Sequence, residues 1–590
     1  MITRRGFLSH STAMTTLALA PLNAQEKSAA SKTQSRVMSG SSVAATVHPL
    51  ASQAAVSMMA QGGNAIDAAI AASVYLSVVD GHNSGLGGGC LMLIRRSDGS
   101  LHAIDGREKA PASASKDMFF KNGVADVKLS QDGPLACGVP GLIAALHSAH
   151  SRFGKLPWGD LFVPAIRAAH DGCKVSRSNY NTIKAEQEVI KRFPASAKVL
   201  LKSDGSLYEI GETLIQRDLA KTLESIAKNG RDWFYQGEFA EQCASHLREQ
   251  GGMLTLNDFK NYEAKDRPPV RTNYRGFQVV GFPTPSSGGI HIQQMLQILS
   301  RFPLKQLYEQ GDSVNYYHVL GEAMKLAFAD RAHYLGDSDF VEVPSFLTSM
   351  EYTDALAKRI DMEKSTRVPG HNDSKSNAID DGKKHTTHMT TADRDGNWVA
   401  LTATVNTSWG NKMIVPGTGV VLNDEMDDFS ISPGVPNAFG LVGSRANAIE
   451  PGKRPLSSMS PTIVLDAMNE PSLTCGAAGG PRIINATLQT LLRCMDLGTS
   501  MGDAIAASRI HHQWQPDLLY CESSLGGPYS REGGSNNPMV ESLKAKGHEV
   551  KLIGNIAIAQ GIERAKKEPD GGVALIAACD PRGEGMAAVI

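Results

Sequence analysis

Residues Thr386 to Asn406 read TTHMTTADRDGNWVALTATVN, and this segment sets the architecture of the chain. Two runs of alternating polar and apolar residues flank the sequence DRDGN, whose Asp, Gly and Asn are turn-forming residues. Symmetric pairing about Asp395 places Thr386 directly opposite Thr404, with their Cβ atoms about 4.5–5.5 Å apart. The segment therefore predicts an antiparallel hairpin with a short loop.

The two faces of this predicted hairpin differ in chemistry. The mostly apolar face carries Thr387, Met389, Thr391, Val399, Leu401 and Ala403. The other face carries a row of polar groups, Thr386, His388, Thr390, Thr402, Thr404 and, one step on, Asn406. Threonine is a good strand former, so the hydroxyl row has a structural explanation beside any chemical one. The rest of the chain has to decide between the two.

Short motifs on both sides of the hairpin carry a family resemblance. Those from the hairpin onward are Thr386-Thr387-His388, Asp395-Gly396-Asn397, residues 422–429 (LNDEMDDF), 453–462 (KRPLSSMSPT), Gly479-Gly480, residues 511–514 (HHQW) and Asp580-Pro581-Arg582. Those upstream are residues 62–65 (GGNA), 85–89 (GLGGG), 105–108 (DGRE), 285–289 (PSSGG) and Ala329-Asp330-Arg331. Together they resemble the γ-glutamyltransferases (γ-glutamyltranspeptidases), a family of N-terminal-nucleophile hydrolases. The resemblance covers nearly all of the chain after about Gly40.

The resemblance implies a fold and a maturation step. The implied fold is a four-layer αββα sandwich of mixed α/β class, with two antiparallel sheets between helical layers. The implied precursor cleaves itself between His385 and Thr386, which leaves a large subunit, residues 41–385, and a small subunit, residues 386–590. The two subunits would stay together as a heterodimer that forms one sandwich.

An N-terminal threonine has the chemistry that this implied maturation requires. A hydroxyl is a weak nucleophile and needs an adjacent base. A free α-amine has a pKa of about 7.7–8.0, which suits a general base near neutral pH. Cleavage before Thr386 would create that amine on the same residue as the hydroxyl. The sequence therefore predicts Thr386 as the nucleophile.

The remaining site residues follow from the resemblance, residue by residue. Thr404 would orient the nucleophile, and Gly479 and Gly480 would offer backbone N–H groups to the developing oxyanion. The predicted substrate-binding residues are Arg107 and the serines Ser457 and Ser458 for an α-carboxylate, and Asn406, Glu425 and Asp428 for an α-ammonium. The resemblance implies no cofactor.

Each of these residues also has a structural alternative. An arginine such as Arg107 is commonly a surface ion-pair partner. The pair Asp427-Asp428 reads equally as a helix cap, and Gly479-Gly480 as a strand-to-helix turn. Their order within matching motifs favours the functional interpretation.

Four positions vary from, or within, the family pattern. Phe439 lies in PGVPNAFG, which resembles a lid over the site where relatives usually have tyrosine. Ser408-Trp409 replaces a more usual Thr-Phe on the acceptor side. Position 425 varies between Gln and Glu among relatives, and Glu adds a negative charge beside the ammonium.

The N-terminus has the features of an export signal. Thr3-Arg4-Arg5-Gly6-Phe7-Leu8 places a twin arginine before a short apolar stretch, and Leu22-Asn23-Ala24 offers a small-residue cleavage site. We expect residues 1–24 to be a twin-arginine signal peptide and residues 25–40 a polar linker. This predicts a protein of the bacterial periplasm, with a chance Arg-Arg pair as the alternative.

Composition excludes several other classes of protein. The formal net charge of −1 gives no support for nucleic-acid binding, and no apolar run approaches the roughly 20 residues of a membrane span. The eight cysteines include no Cys-x-x-Cys, so zinc and thioredoxin-type sites have no support, and mostly free, buried cysteines are expected. The pairs His385/His388 and His511/His512 lack an accompanying zincin helix, so no metal site is predicted.

Periodicity adds a coarse map of the elements. Helices are predicted over residues 47–61, 65–79, 485–495 and 501–509, with an amphipathic helix over 316–334 and a strand over 90–95. The middle, residues 113–359, is expected to be largely helical. Residues 364–384 are polar and poorly patterned, which predicts an exposed loop just ahead of the cleavage site.

The resulting expectation is a γ-glutamyl hydrolase and transferase. It would act on glutathione or related γ-glutamyl compounds and pass the γ-glutamyl group to water, amino acids or peptides. Two alternatives remain open. One is another acylase on this scaffold, acting on glutaryl side chains or poly-γ-glutamate; the other is an unprocessed homologue that only binds γ-glutamyl ligands.

Overall fold

Two large sheets lie face to face at the centre of the molecule. The computed structural model describes residues 36–309, 313–369, 385–526, 537–565 and 574–590. Each large sheet has seven strands within these residues, and every strand pairing in them is antiparallel. Helices cover both outer faces, so the predicted αββα sandwich is confirmed. The expected signal peptide, residues 1–24, lies outside the described residues, as does the linker except for its last residues, 36–40.

The strand order shows how distant parts of the sequence meet. The first sheet runs β1 (Arg36–Gly40), β20 (Leu575–Cys579), β19 (Ile558–Arg564), β15 (Pro471–Ala478), β14 (Thr462–Leu465), β11 (Phe277–Gly281) and β10 (Val270–Tyr274). The second runs β21 (Met586–Val589), β2 (Val43–Thr46), β12 (Thr387–Ala392), β13 (Trp398–Thr404), β3 (Gly89–Arg95), β4 (Leu101–Gly106) and β9 (Lys265–Arg267). Both sheets therefore combine strands from before and after Thr386.

The remaining strands of the described residues form three small sheets. They are β16 (Ile510–His511), β17 (Leu519–Glu522) and β18 (Val550–Ile553), then β5 (Phe120–Lys121) with β6 (Val124–Ala125), and β7 (Cys173–Lys174) with β8 (Thr213–Leu214).

The helices in chain order fill the outer layers and the region between β4 and β9. They are α1 (Pro49–Ala60), α2 (Ala65–Val79), α3 (Leu142–Phe153), α4 (Val163–Asp171), α5 (Arg177–Ile190), α6 (Pro194–Leu200), α7 (Arg217–Tyr235, broken at Gly230), α8 (Glu238–Glu249), α9 (Leu256–Lys260), α10 (Gly288–Leu299), α11 (Leu304–Glu309), α12 (Ser313–Tyr334), α13 (Met350–Ala357), α14 (Arg482–Leu497), α15 (Met501–Ala506) and α16 (Pro538–Ala545). No helix in the described ranges combines the length and apolar character that crossing a bilayer requires.

The hairpin of β12 and β13 has the register that the sequence predicts. Ala392 pairs with Trp398 and Thr387 with Ala403, so the next pair outward brings Thr386 opposite Thr404. Met389, Val399, Leu401 and Ala403 pack into the apolar core beneath α1 and α2. The hydroxyl-bearing face turns toward the first sheet, where Thr390 reaches Thr474. Because β2 and β3 flank the hairpin, it lies at the centre of its sheet.

Four sequence-based expectations need correction. Residues 36–40, expected to belong to a polar linker, form β1, which pairs with β20 at the edge of the first sheet. The predicted amphipathic helix over 316–334 is α12, and it is buried along almost all of its length because it packs between α10 and the small sheet of β16–β18. The helix predicted over 501–509 ends at Ala506. The predicted exposed loop, residues 364–384, is anchored at its start: Ser365 and Thr366 donate to Glu322, and Val368 is buried. Residues 370–384 of this loop lie outside the described ranges.

Asp393 holds the hairpin turn together and ties it to α2. Its carboxylate accepts hydrogen bonds from the backbone N–H groups of Asp395 at 3.0 Å, Asn397 at 2.9 Å and Ala65 at 2.9 Å. Replacing Asp393 by Ala leaves the buried N–H groups of Asn397 and Ala65 unpaired, which costs about 1–3 kcal/mol for each such group. We expect a clear fall in Tm, measured by thermal denaturation.

Asp395→Ala is the matched control for this substitution, because it changes the same turn at an exposed position. Asp395 makes only a half-exposed ion pair with Lys155 at 3.0 Å. Such pairs contribute about 0–1 kcal/mol. Equal Tm losses in the two variants would contradict the anchoring role of Asp393.

Candidate active site

One small cavity, with a volume of about 20 Å³, lies between the edges of the two sheets. Nine of the ten predicted site residues line it: Thr386, Thr404, Gly480, Arg107, Asn406, Glu425, Asp428, Ser457 and Ser458. Gly479 immediately precedes Gly480 at the end of β15. Arg107 directly follows β4, Thr386 directly precedes β12, and Thr404 is the last residue of β13. The others lie between β13 and β14 (Asn406, Glu425, Asp428, Ser457 and Ser458) or directly after β15 (Gly479 and Gly480). The structure thus brings together residues that are spread over nearly four hundred positions, while their individual roles remain predictions.

Thr386 is placed for chemistry by its partner across the hairpin. Its Oγ1 lies 3.1 Å from Oγ1 of Thr404, and both side chains are buried. The backbone N–H of Asn406 donates to the same Thr404 oxygen at 2.9 Å. The N–H of Asn406 therefore helps to fix the position of the Thr404 hydroxyl beside Thr386.

The backbone at Thr386 is strained. Its φ is 94°, a value that β-branched residues rarely adopt. Conformations of this kind cost about 1–3 kcal/mol and persist only where the surroundings impose them. The strain lies at the bond that the sequence predicts to be cleaved.

Gly479 and Gly480 form the turn between β15 and α14. Their φ values are 140° and 57°, both in the range that favours glycine. Pro481 caps α14, so the N–H groups of the turn lie at the positive end of a 16-residue helix. This is a favourable place to stabilise an oxyanion.

Gly480→Ala should impair turnover far more than folding. A Cβ at Gly480 would meet Cδ1 of Phe439 at 2.8 Å, in addition to the strain of a φ of 57°. The turn must then shift, and losing one oxyanion donor costs about 3–4 kcal/mol, which is roughly two to three orders of magnitude in kcat. Steady-state kinetics on the purified variant would measure this loss.

Gly498→Ala is the matched control at the other end of α14. Gly498 has a similar φ of 65°, but an added Cβ meets nothing within 4 Å. This variant carries the same backbone strain and should lose stability without losing kcat. Comparable kcat losses in the two glycine variants would argue against an oxyanion role.

Arg107 is the centre of the charged half of the cavity. The residue is fully buried; its Nη1 donates to Glu425, its Nη2 to Asp428 Oδ2 at 2.5 Å, and its Nε to the carbonyl of Pro455 at 3.0 Å. Burial opposes its charge, but the carboxylates of Glu425 and Asp428 outweigh this and raise its pKa. The residues expected to bind opposite ends of a zwitterion therefore bind each other here.

The serines of the cavity are held by a second buried arginine. Arg331 of α12 donates through Nε to Ser287 at 3.0 Å and through Nη2 to Ser458 at 3.2 Å. Ser287 in turn donates to the carbonyl of Ser457 at 2.8 Å. The positions of Ser457 and Ser458 are thus fixed by elements of the expected large subunit.

Phe439 covers the cavity where the family usually has tyrosine. It is buried, its backbone N–H donates to Asn437 Oδ1 at 3.0 Å, and Asn437 Nδ2 donates to Asp428 Oδ1 at 3.1 Å. Its ring also lines a larger cavity of about 600 Å³, together with Thr407 and Ser408. The ring therefore separates the small charged cavity from a larger one on the side where sequence analysis placed an acceptor.

Sequence reasoning missed three buried groups around this site. Arg331 and Glu108 lie inside quoted motifs, so their position in those motifs was the available signal. Asp80 follows α2 and accepts hydrogen bonds from the Thr387 hydroxyl and from Asn83 Nδ2, the latter at 2.8 Å. Burial raises the pKa of Asp80 to about 7. Nothing in its sequence context pointed to a contact with the residue after Thr386.

The histidines of the sequence pairs serve packing roles. His388 is buried with Nδ1 2.9 Å from Thr402 Oγ1, and burial lowers its pKa to about 3. His511 contacts Asn485 at 2.7 Å and Gln513 at 2.9 Å. Neither arrangement gathers a set of metal ligands.

A different histidine cluster has ligand-like spacing. His318, Glu322 and His548 bring their ligand atoms within 4.8 Å of one another. Glu322, however, already accepts from Lys325 at 3.0 Å and from Ser365 at 2.9 Å, and a buried ammonium beside a carboxylate disfavours a divalent cation. We read the cluster as the anchor of residues 361–368.

The site combines a threonine hydroxyl just before a strand, a second hydroxyl beside it and a glycine turn, all within an αββα sandwich. This combination is characteristic of the N-terminal-nucleophile hydrolases. A profile described as gamma-glutamyltranspeptidase matches residues 51–590. The glutathione hydrolase proenzyme of Escherichia coli K12 is 41% identical over 546 residues, which cover 91% of this chain and 90% of the relative. The chain belongs to the γ-glutamyltranspeptidase family.

Solved structures agree with this placement. The cephalosporin acylase from Bacillus halodurans superimposes with a TM-score of 0.81 at 26% identity, covering 98% of this chain and 99% of that one. The Helicobacter pylori gamma-glutamyltranspeptidase gives a TM-score of 0.53 at 37% identity, covering 54% of this chain and 91% of that chain. The sequence-based recognition of family and fold is therefore confirmed.

Proposed function

We propose that this protein is a proenzyme that cleaves itself before Thr386 and then hydrolyses or transfers γ-glutamyl groups. Its donor would be glutathione or a related γ-glutamyl compound, and its acceptors water, amino acids or peptides. The observation that carries the proposal is one cavity lined by Thr386, Thr404 and Gly480 together with Arg107, Glu425 and Asp428. The similarity to glutathione hydrolase proenzymes supports it.

The first step is an attack by Thr386 Oγ1 on the carbonyl carbon of His385. The attack forms an ester and frees the α-amine of Thr386, and water then hydrolyses the ester. The φ of 94° at Thr386 supports this step, because φ is defined by the His385 carbonyl carbon and its strain ends when that bond breaks. Thr404 orients the attacking hydroxyl at 3.1 Å.

The second step uses the same hydroxyl on an external γ-amide. The freed α-amine accepts the hydroxyl proton, and the N–H groups of the Gly479-Gly480 turn stabilise the oxyanion. The leaving amine departs, and water or an acceptor amine resolves the γ-glutamyl ester on Thr386. Phe439 lacks the hydroxyl of the usual tyrosine, so it closes the site only by covering it.

The charged half of the cavity selects the γ-glutamyl head group. A γ-glutamyl donor ends in an α-ammonium and an α-carboxylate, and a buried pocket must supply both charges. Arg107 with Ser457 and Ser458 would bind the carboxylate; Glu425, Asp428 and Asn406 would bind the ammonium. A glutaryl substrate has no ammonium to offer the acidic residues, so an acylase of that kind is the weaker candidate despite the shared fold.

The decisive experiment is denaturing mass spectrometry with N-terminal sequencing, followed by an assay on a γ-glutamyl anilide. Two fragments, the smaller starting at Thr386, together with release of the anilide, would support the proposal. A single intact chain would favour the binding-only homologue. Cleavage with activity only on glutaryl anilides or poly-γ-glutamate would favour the acylase alternative.

The proposal also includes a location, the bacterial periplasm. Its support is the Arg4-Arg5 pair, followed by a short apolar stretch and a small-residue cleavage site ending at Ala24. Replacing both arginines by lysine keeps the charge but should block export by the twin-arginine route. An unchanged amount of mature protein in the periplasmic fraction would refute that route.

A further inference from the structure

A third carboxyl group lies against Arg107 beside the two expected to bind substrate. Glu108 is completely buried, and its Oε2 lies 3.6 Å from Nη1 of Arg107. The same nitrogen donates to Glu425. Glu108 and Glu425 therefore hold their carboxyl groups against the same nitrogen of Arg107. One guanidinium therefore faces the carboxyl groups of Glu108, Glu425 and Asp428.

The oxygens of this pair lack donors. In the described part of the chain, neither carboxyl oxygen of Glu108 accepts a hydrogen bond from an N–H or O–H group, and neither does Oε2 of Glu425. Leaving a buried carboxylate unsatisfied costs several kcal/mol or more. A single proton between the two carboxyls would satisfy both at once.

Further acidic groups surround the pair, and one of them, Asp105, has cations of its own, Arg454 at 2.5 Å and Arg267 at 3.0 Å. The backbone of Gly89, which pairs with Thr404, packs against the Glu108 carboxyl; a Cβ there would meet its Oε2 at 2.5 Å. The charged or titratable groups facing the pair are Arg107, Asp105, Asp424, Asp428, Cys90, Cys137, Tyr235 and Tyr262. Arg107 is the single cation in this set.

We propose that Glu108 and Glu425 share one proton, and that this protonated pair is the form of the pocket that binds γ-glutamyl donors. The inference rests on the proposed function, since it concerns the same pocket. Two buried carboxylates held against a single arginine nitrogen cannot both ionise readily. Burial raises the pKa of Glu108 to about 7 and raises that of Glu425 well above its ordinary value, with Arg107 opposing both shifts.

The shared proton makes Glu108 a positioning residue. As a neutral acid, Glu108 donates its O–H to Glu425, which stays ionised and oriented for the α-ammonium. Loss of the proton would place a second uncompensated negative charge beside Arg107 and weaken α-carboxylate binding. Affinity is therefore present below the pKa of the pair and lost as the pH rises through it.

Infrared spectroscopy on the purified, processed enzyme tests the shared proton directly. Wild-type protein should show the C=O band of a protonated carboxyl that is missing from both Glu108→Gln and Glu425→Gln. Difference spectra remove the contribution of other acids with raised pKa, such as Asp80 and Asp424. Identical spectra in this region for the wild type and both variants would overturn the proposal.

The pH dependence of L-glutamate inhibition tests its role in binding. The Ki of the wild type should rise by up to about tenfold per pH unit above the pKa of the pair, as one-proton linkage requires. Glu108→Gln carries a permanent donor and should lose this dependence, whereas Glu108→Ala should bind weakly at every pH. Asp496→Asn is the control, since this carboxyl is bonded to Tyr274 at 2.7 Å, outside the cavity lining.

Different results would reject the role of the shared proton and the proposed function. If Glu108→Gln keeps the pH dependence of the wild type, the shared proton has no role in binding, although the proposed function stands. If wild-type enzyme binds no L-glutamate and turns over no γ-glutamyl anilide at any pH, the proposed function is overturned together with the binding half of this inference. The infrared band would still report the shared proton itself.

Discussion

Thr386→Ala is expected to leave the protein as one uncleaved chain with no measurable turnover. The substitution removes the hydroxyl that lies at the strained bond and 3.1 Å from Oγ1 of Thr404. Without it the His385 carbonyl is not attacked, so the α-amine that should act as base never forms. Removing a covalent nucleophile typically lowers kcat by about 10⁶-fold. Denaturing mass spectrometry and a γ-glutamyl anilide assay measure the two losses.

Two further variants separate chemistry from folding. Thr386→Ser keeps a hydroxyl and should still cleave and turn over, though with altered rates. Thr390→Ala removes another buried hydroxyl of β12, one that donates to the carbonyl of Val399 at 2.9 Å, and should cleave normally. Two fragments from Thr386→Ala would remove the autoprocessing hypothesis, and an uncleaved Thr390→Ala would attribute the effect to general damage of the strand.

The hairpin was predictable because its information is local. A period of two, a turn of Asp, Gly and Asn, and the symmetry of two short strands fix the register to the residue. The helix over 65–79 was predictable for a similar reason, since Asn64 and Asp67 form its capping box and Asp80 ends it. Where neighbouring residues alone determine an element, sequence and structure agree.

The environment of the site was less predictable because it depends on distant residues. Each arginine, read alone, could be a surface partner, yet both are buried: Arg107 lines the cavity, and Arg331 lies behind it, where it donates to Ser458. The family resemblance predicted Arg107 as a site residue, whereas only the structure shows that Glu108 and Glu425 lie against the same guanidinium. The burial of α12 likewise results from elements packed on both sides, which its own periodicity does not record.

Arg107→Ala is expected to raise KM for γ-glutamyl donors strongly, with a smaller effect on kcat. The guanidinium is fully buried and would give two parallel hydrogen bonds to an α-carboxylate. Removing one partner of such a buried pair costs about 2–5 kcal/mol, which corresponds to roughly 30-fold or more in KM. The variant also leaves Glu425 and Asp428 without their cation, so Tm should fall too.

A comparison of two substrates separates the effect of Arg107 on binding from its effect on stability. Wild type should prefer a γ-glutamyl anilide to a 4-aminobutyryl anilide, which lacks the α-carboxylate, and Arg107→Ala should lose most of that preference. Arg267→Ala is the matched control: Arg267 is a largely buried arginine with ion pairs to Asp105 at 3.0 Å and Asp339 at 2.6 Å, but it does not line the cavity. It should lower Tm and keep the preference. If the Arg107→Ala variant still discriminates between the two anilides, Arg107 does not bind the α-carboxylate. Ser457 and Ser458, with Arg331 behind them, would then be the first residues to test.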